Sequence, residues 1–331
     1  MRIFKLIPVA CLFVASIAGA GNPRCPQVDA PPAPVCVATA HGLAYADELG
    51  EAEAAAHALE AAAQRYASHF GRAPVGALVL STSFDGVAAS AFATLHGLEF
   101  GQVWLPAKAT RAMAERAMRQ AGMDRARINR ALARAAGQDE MMLRHEVGHA
   151  MYAAMFWPGD TTTLEKRYGT PAPDWLDEAV AVAMQSPESQ ADYLAMFIDV
   201  AAQHPRDVPG LADFLASEHP VLSEALARAL KRGPKSDSGV QMMVTSGRGP
   251  AALNTFYGQS LLTALFLAET SGNPQILSPI STAISDGMDF ETWLARDGAR
   301  HNLPQTISAL QPLWDAWIKQ NVLKRGRRGG R

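Results

Sequence analysis

Hydrophobic positions change their spacing along this 331-residue chain, and each change marks an element. An apolar run from Ile7 to Ile17 comes first. Residues 50 to 70 then read as an Ala-rich helix, Val75 to Thr82 as a strand, Phe100 to Leu105 as a second strand, and 108 to 136 as a helix with many arginines on one face. Between Asp139 and Tyr152, the side chains of Met142, Leu143, Glu146, Val147, His149 and Ala150 fall on adjoining helical faces. Asp139 and Glu140 suit the start of that helix, where acidic groups oppose the positive end of its dipole. Val182, Ala183 and Met184 continue an apolar helical run beyond Trp175, and 254 to 269 form another helix. Ser271-Gly272-Asn273-Pro274 breaks that helix; a short helix, the segment Asp289 to Trp293 and a last helix carrying Trp314 and Trp317 follow. The pattern predicts an α+β protein, with a small mixed α/β lobe at 46–138 and a mainly helical lobe at 139–322.

The ends change the picture of where the chain works. Arg2 and Lys5 precede the apolar run, and Ala18-Gly19-Ala20 closes it with small residues, so residues 1–20 read as a secretory signal cleaved before Gly21. The run is too short for a comfortable membrane span, and Cys11 lies inside it, too early for a lipoprotein box. The expected location is exported, periplasmic or secreted, with no stable membrane span after cleavage. Cys25 and Cys36 then remain, an even pair in a Pro-rich arm at 21–45, and one disulfide between them is the simplest expectation. Losing Arg2 and Lys5 takes the formal charge from −2 to −4, and nothing suggests a nucleic-acid surface. A basic Gly-rich tail at 323–331 is expected as a solvated, disordered terminus.

Candidate chemistry concentrates in His145-Glu146-Val147-Gly148-His149. Two histidines four apart leave the same helical face and can hold one Zn²⁺, while the glutamate between them sits beside the water it must deprotonate. Catalytic zinc usually takes three protein ligands and keeps the fourth position for water. Glu178, in Pro173-Asp174-Trp175-Leu176-Asp177-Glu178-Ala179-Val180-Ala181, is the candidate third ligand. Asp177 competes with it. Helix neighbours point about 100° apart, so only one of the two can face the histidines, and the other would orient an imidazole or serve the helix start.

His-Glu-Val-Gly-His followed by Trp-Leu-Asp-Glu-Ala-Val-Ala resembles the gluzincin metallopeptidases, the peptidase MA-like group of thermolysin and aminopeptidase N type. The resemblance implies a zincin-like catalytic domain with the zinc helix between two lobes and Glu178 as third ligand. It also implies an edge strand that holds substrate backbone by β-addition, for which Phe100 to Leu105 is the candidate. Tyr257, in Phe256-Tyr257-Gly258-Gln259-Ser260, is similar in position to the family tyrosine that donates to the oxyanion of the tetrahedral intermediate. Gln259 and Ser260 are expected to support packing. Two departures stand out: residues 150 to 177 make a longer gap than the family usually has, read as a loop insertion from Trp157 to Pro173, and Ala179 replaces the usual glycine. The Gly-x-Met-Glu-Asn-type loop that captures a substrate amine in aminopeptidases is not found upstream of His145, which favours an endopeptidase.

The expected activity is zinc-dependent hydrolysis of a peptide or protein substrate, with Glu146 as general base and Tyr257 steadying the oxyanion. Two rivals belong to other classes: an inactive envelope scaffold that kept the peptidase fold, and a zinc hydrolase of a non-peptide amide. A scaffold has no physical need for Glu146.

Overall fold

The computed structural model describes residues 23–135, 138–160, 169–222 and 248–323. The expected signal at 1–20, the basic tail from 324 and the middle of the Trp157–Pro173 loop lie outside them. Four strands, β1 (Val35–Thr39), β2 (Gly42–Ala46), β3 (Gly76–Leu80) and β4 (Phe100–Trp104), form one sheet in sequence order. β1 pairs antiparallel with β2, whereas β2, β3 and β4 run parallel. The parallel pairs need crossover connections, supplied by helices α1 (Leu49–Phe70) and α2 (Gly86–Leu95), one on each sheet face. Ala44, Ala46, Leu78 and Leu80 point to the α1 side, and Leu43, Tyr45, Val79 and Val103 to the α2 side. Burial on both faces explains why β2 and β3 read as continuous apolar runs. α1 meets the sheet through small residues, Ala52, Ala55, Ala62 and Ala63 among them, and ends at Gly71, whose φ of 82° suits glycine.

Two expectations are corrected here. Residues 35–45, expected as part of the Pro-rich arm, form the β1–β2 hairpin; β2 is buried throughout and β1 partly, despite the prolines upstream. The expected Cys25–Cys36 disulfide is present, with Cα atoms 6.0 Å apart, and ties the arm to β1. The arginine-rich helix expected over 108–136 is two helices, α3 (Ala107–Gln120) and α4 (Arg125–Ala135). Gly122 takes φ 77° at the break, and Asp124 Oδ1 accepts from Arg127 N–H at 2.8 Å to start the second helix.

The rest is helical: α5 (Gln138–Phe156), α6 (Asp174–Met184), α7 (Pro187–Gln203), α8 (Leu211–Leu215), α9 (Arg248–Ser271), α10 (Leu277–Ser285), α11 (Phe290–Asp297) and α12 (Ile307–Ile318). α6 is the central element. Every residue from Trp175 to Met184 is buried, under α5, α9 and α1. A helix apolar on all sides belongs in a core, and its C-terminal carbonyls are capped by side chains: Arg65 Nε and Gln190 Nε2 both donate to Ala183 O, at 2.8 and 3.1 Å. No helix among the described residues is long and apolar enough to cross a membrane.

Candidate metal centre

Two carboxylates, Asp177 and Glu178, sit side by side in this buried helix at 1% and 0% exposure. Buried charges that lack partners cost several kcal/mol each, so the surroundings must answer them. They do so with imidazoles. α5 crosses α6 and presents His145 and His149 one turn apart, with Glu178 reaching between them. Glu178 Oε2 lies 3.3 Å from His145 Nε2, Glu178 Oε1 lies 3.7 Å from His149 Nε2, and the two Nε2 atoms are 3.1 Å apart. Taken together, one donor atom from each of His145, His149 and Glu178 falls within 4.8 Å of the others, a group able to hold a metal ion.

Asp177 takes the other side of the same imidazole. Its Oδ1 lies 3.2 Å from His149 Nδ1, the nitrogen that faces away from Glu178, and its Oδ2 accepts from Thr170 N–H at 3.2 Å. The two acids take the parts expected of them: Glu178 meets the Nε2 atoms of both histidines and Asp177 stands behind one ring. Gly169, at φ 57°, lets the loop pass; a Cβ there would come within 1.8 Å of Asp177 Oδ2.

The electrostatics follow from this packing. Burial pulls His145 down to about 4, against the pull of Glu178, so its ring is neutral. Burial also works against an imidazolium at His149, but Asp177, Glu178 and Glu146 outweigh it and hold its pKa at about 10. Glu178 would be raised by burial, yet His145, His149 and His219 bring it to about 2. Glu146, the residue after His145 on α5, is pushed up to about 6, mainly by burial and against the pull of His149. A carboxyl near that value can accept and return a proton close to neutral pH.

Tyr257, on α9, stands in the same place: its ring centroid is 5.5 Å from that of His145. Gln259 donates to Pro209 O at 2.9 Å and Ser260 is fully buried, both packing positions. Two further residues here were not anticipated. Gln185 sets its amide 3.3 Å from His145 Nδ1, two turns along from Glu178, a spacing that could have been read from the sequence. His219, 2% exposed in the turn after α8, sets Nε2 3.3 Å from Glu178 Oε1. It follows no periodic pattern, so nothing in the sequence marks it.

The approach of α5 to α6 depends on Gly148, where an added Cβ would lie 3.0 Å from both Ala181 Cα and Met184 Cγ. Glycine inside a helix costs about 1 kcal/mol relative to alanine, so the close contact is what it is needed for. Gly148→Val should therefore lower stability by about 1–3 kcal/mol and weaken any metal binding in the same protein, because the helices it forces apart carry the candidate donors. Thermal melting and chelator competition would check both. A variant that matches the parent in both would show that the contact does not position the site.

Comparison of the chain with known protein families, with curated proteins and with solved structures found no match.

Proposed function

We propose that this chain is an exported zinc-dependent peptidase of gluzincin type, acting as an endopeptidase. The observation that carries the reading is the buried His145–His149–Glu178 donor set with Glu146 on the same helix. The donors suit zinc. Two nitrogens and a carboxylate are a common catalytic set, and a tetrahedral ion with bonds of about 2.0–2.1 Å holds its ligands about 3.3 Å apart; here the two Nε2 atoms are 3.1 Å apart, and Glu178 brings Oε2 to 3.3 Å from His145 Nε2 and Oε1 to 3.7 Å from His149 Nε2. When bound, zinc brings a water toward a pKa of about 7 and polarises a carbonyl.

The chain's own residues do the rest. Glu146 takes the proton of the attacking water and returns it to the leaving amine. Tyr257, against His145, supplies a phenol to the oxygen that gains charge. β4 has β3 as its one strand neighbour among the described residues, which supports its use as the strand that pairs with substrate backbone. The disulfide supports passage through an oxidising compartment. Metal content of the purified protein, together with turnover of a mixed peptide library that a chelator stops and zinc restores, tests the reading. Absence of metal overturns it. Bound zinc without peptide cleavage would instead favour a non-peptide amide substrate or a scaffold.

Metal uptake should release a proton. In the metal-free protein His149 is an imidazolium at pH 7.5, since its pKa is held at about 10, whereas His145 is already neutral and Glu178 already ionised. A ligand imidazole must be neutral, so binding displaces the His149 proton. Apparent affinity should rise about tenfold per pH unit from pH 7 to 9 and flatten toward 10. Calorimetry in buffers of different ionisation enthalpy counts the proton. An affinity independent of pH over that range would show that His149 is not protonated in the metal-free state.

A further inference from the structure

We propose that His219 is a positioning residue for Glu178: it donates its Nε2–H to Glu178 Oε1 and so presents Oε2, the oxygen on the His145 side, to the metal. The inference rests on the reading of His145, His149 and Glu178 as metal ligands. Its own support is the way the ring of His219 is held.

Val221 N–H donates to His219 Nδ1 at 3.1 Å. That bond uses the Nδ1 lone pair, which leaves the ring proton on Nε2, and Nε2 faces Glu178 Oε1 at 3.3 Å. The backbone is held from the same helix. His219 N–H donates to Asp174 Oδ2, and Asp174 lies one turn before Glu178 on α6. Phe256 and Tyr257 pack against the ring, with centroids 5.1 and 5.7 Å away. A ring fixed at its backbone and its Nδ1 and packed against two aromatic rings has little room to swing.

The same geometry argues against His219 as a fourth ligand. Ligation through Nε2 needs a lone pair there, which would move the proton to Nδ1 and set it against the Val221 N–H, two donors 3.1 Å apart. Among the described residues, the group that brings one donor atom from each member within 4.8 Å of the others is His145, His149 and Glu178. Three ligands leave a position open, as chemistry requires, whereas a fourth histidine would close the site into a structural one. His219 thus holds the carboxylate in a one-oxygen mode without occupying the ion.

The test compares zinc affinity, by chelator competition, in the parent, His219→Ala and His219→Gln, and records the visible spectrum of each protein loaded with cobalt(II). The expected result is an affinity about 10- to 100-fold lower for His219→Ala, the usual effect of losing a group that orients a ligand. His219→Gln, whose amide N–H can stand in for Nε2–H, should recover most of it, and the cobalt spectrum should keep its four-coordinate form in all three. A folded His219→Ala protein with unchanged affinity would overturn the proposal. A change of cobalt coordination number that His219→Gln does not reverse would also overturn it, in favour of a fourth ligand. A parent protein that takes up no zinc would bring down the metal-site reading itself, and is told apart because it needs no variant.

Discussion

Glu146→Gln is expected to keep its metal and lose peptide hydrolysis by about 10²- to 10⁴-fold in kcat, the usual worth of a placed general base. The amide has the shape of the acid but cannot take a proton from water. Metal binding should survive, because the donor atoms belong to His145, His149 and Glu178 and the substitution touches none of them. Stability gives a second check. Burial raises the Glu146 pKa to about 6, above its ordinary carboxylate value, so at higher pH the ionised group weighs against the metal-free fold. Replacing it with a neutral amide should leave the metal-free melting temperature at pH 7.5 equal to or above that of the parent. A variant that binds zinc, melts normally and still turns over peptides at the parent rate would sink the role given to Glu146.

How much of this site could be read in advance depended on whether its residues share a periodic element. His145 and His149 were legible because a spacing of four on a helix fixes their common face. Glu178 was legible as the third donor through the Trp-Leu-Asp-Glu-Ala segment, and the structure groups it with the two histidines, but helix periodicity alone does not separate it from Asp177. Both lie in the first turns of a helix buried on every side, so no polar face indicates which way either points. Packing against α5 decides it, and the small contact at Gly148 sets the distance. His219 was illegible for a different reason: a turn after α8 brings it to Glu178, and turns carry no period.

In the fold, the same division holds. Helices α1, α5, α6, α9 and α12 and the parallel strands β3 and β4 follow from runs and periodicity, whereas α2 and α7 were not anticipated. The β1–β2 hairpin was hidden by the prolines before it, which suggested an arm, although Val35, Val37, Leu43 and Tyr45 already had the residue types of a strand pair. The break between α3 and α4 was written in Gly122 and Asp124, a helix stop and a helix start that the density of arginines obscured.

The division of labour between the adjacent acids gives the other large effect. Glu178→Ala should weaken zinc binding by roughly 10³-fold, because it removes one member of a buried charge cluster, a loss of about 3–5 kcal/mol. Asp177→Asn should weaken it by only about 10- to 100-fold. The asparagine has one acceptor oxygen, enough for Thr170 N–H or for the ring of His149 but not for both, and it gives up the charge that faces Nδ1 at 3.2 Å. The pH dependence separates the two further. Asp177 is the largest influence holding the His149 pKa up, so Asp177→Asn should lower that pKa and shift the rise of zinc affinity with pH toward lower pH. Chelator competition between pH 6 and 9 reads both effects in one series. If the order were reversed, with Asp177→Asn the more damaging, Asp177 would be the ligand and Glu178 its support, and the geometry in which Glu178 stands between the two Nε2 atoms would not be the one that binds the ion.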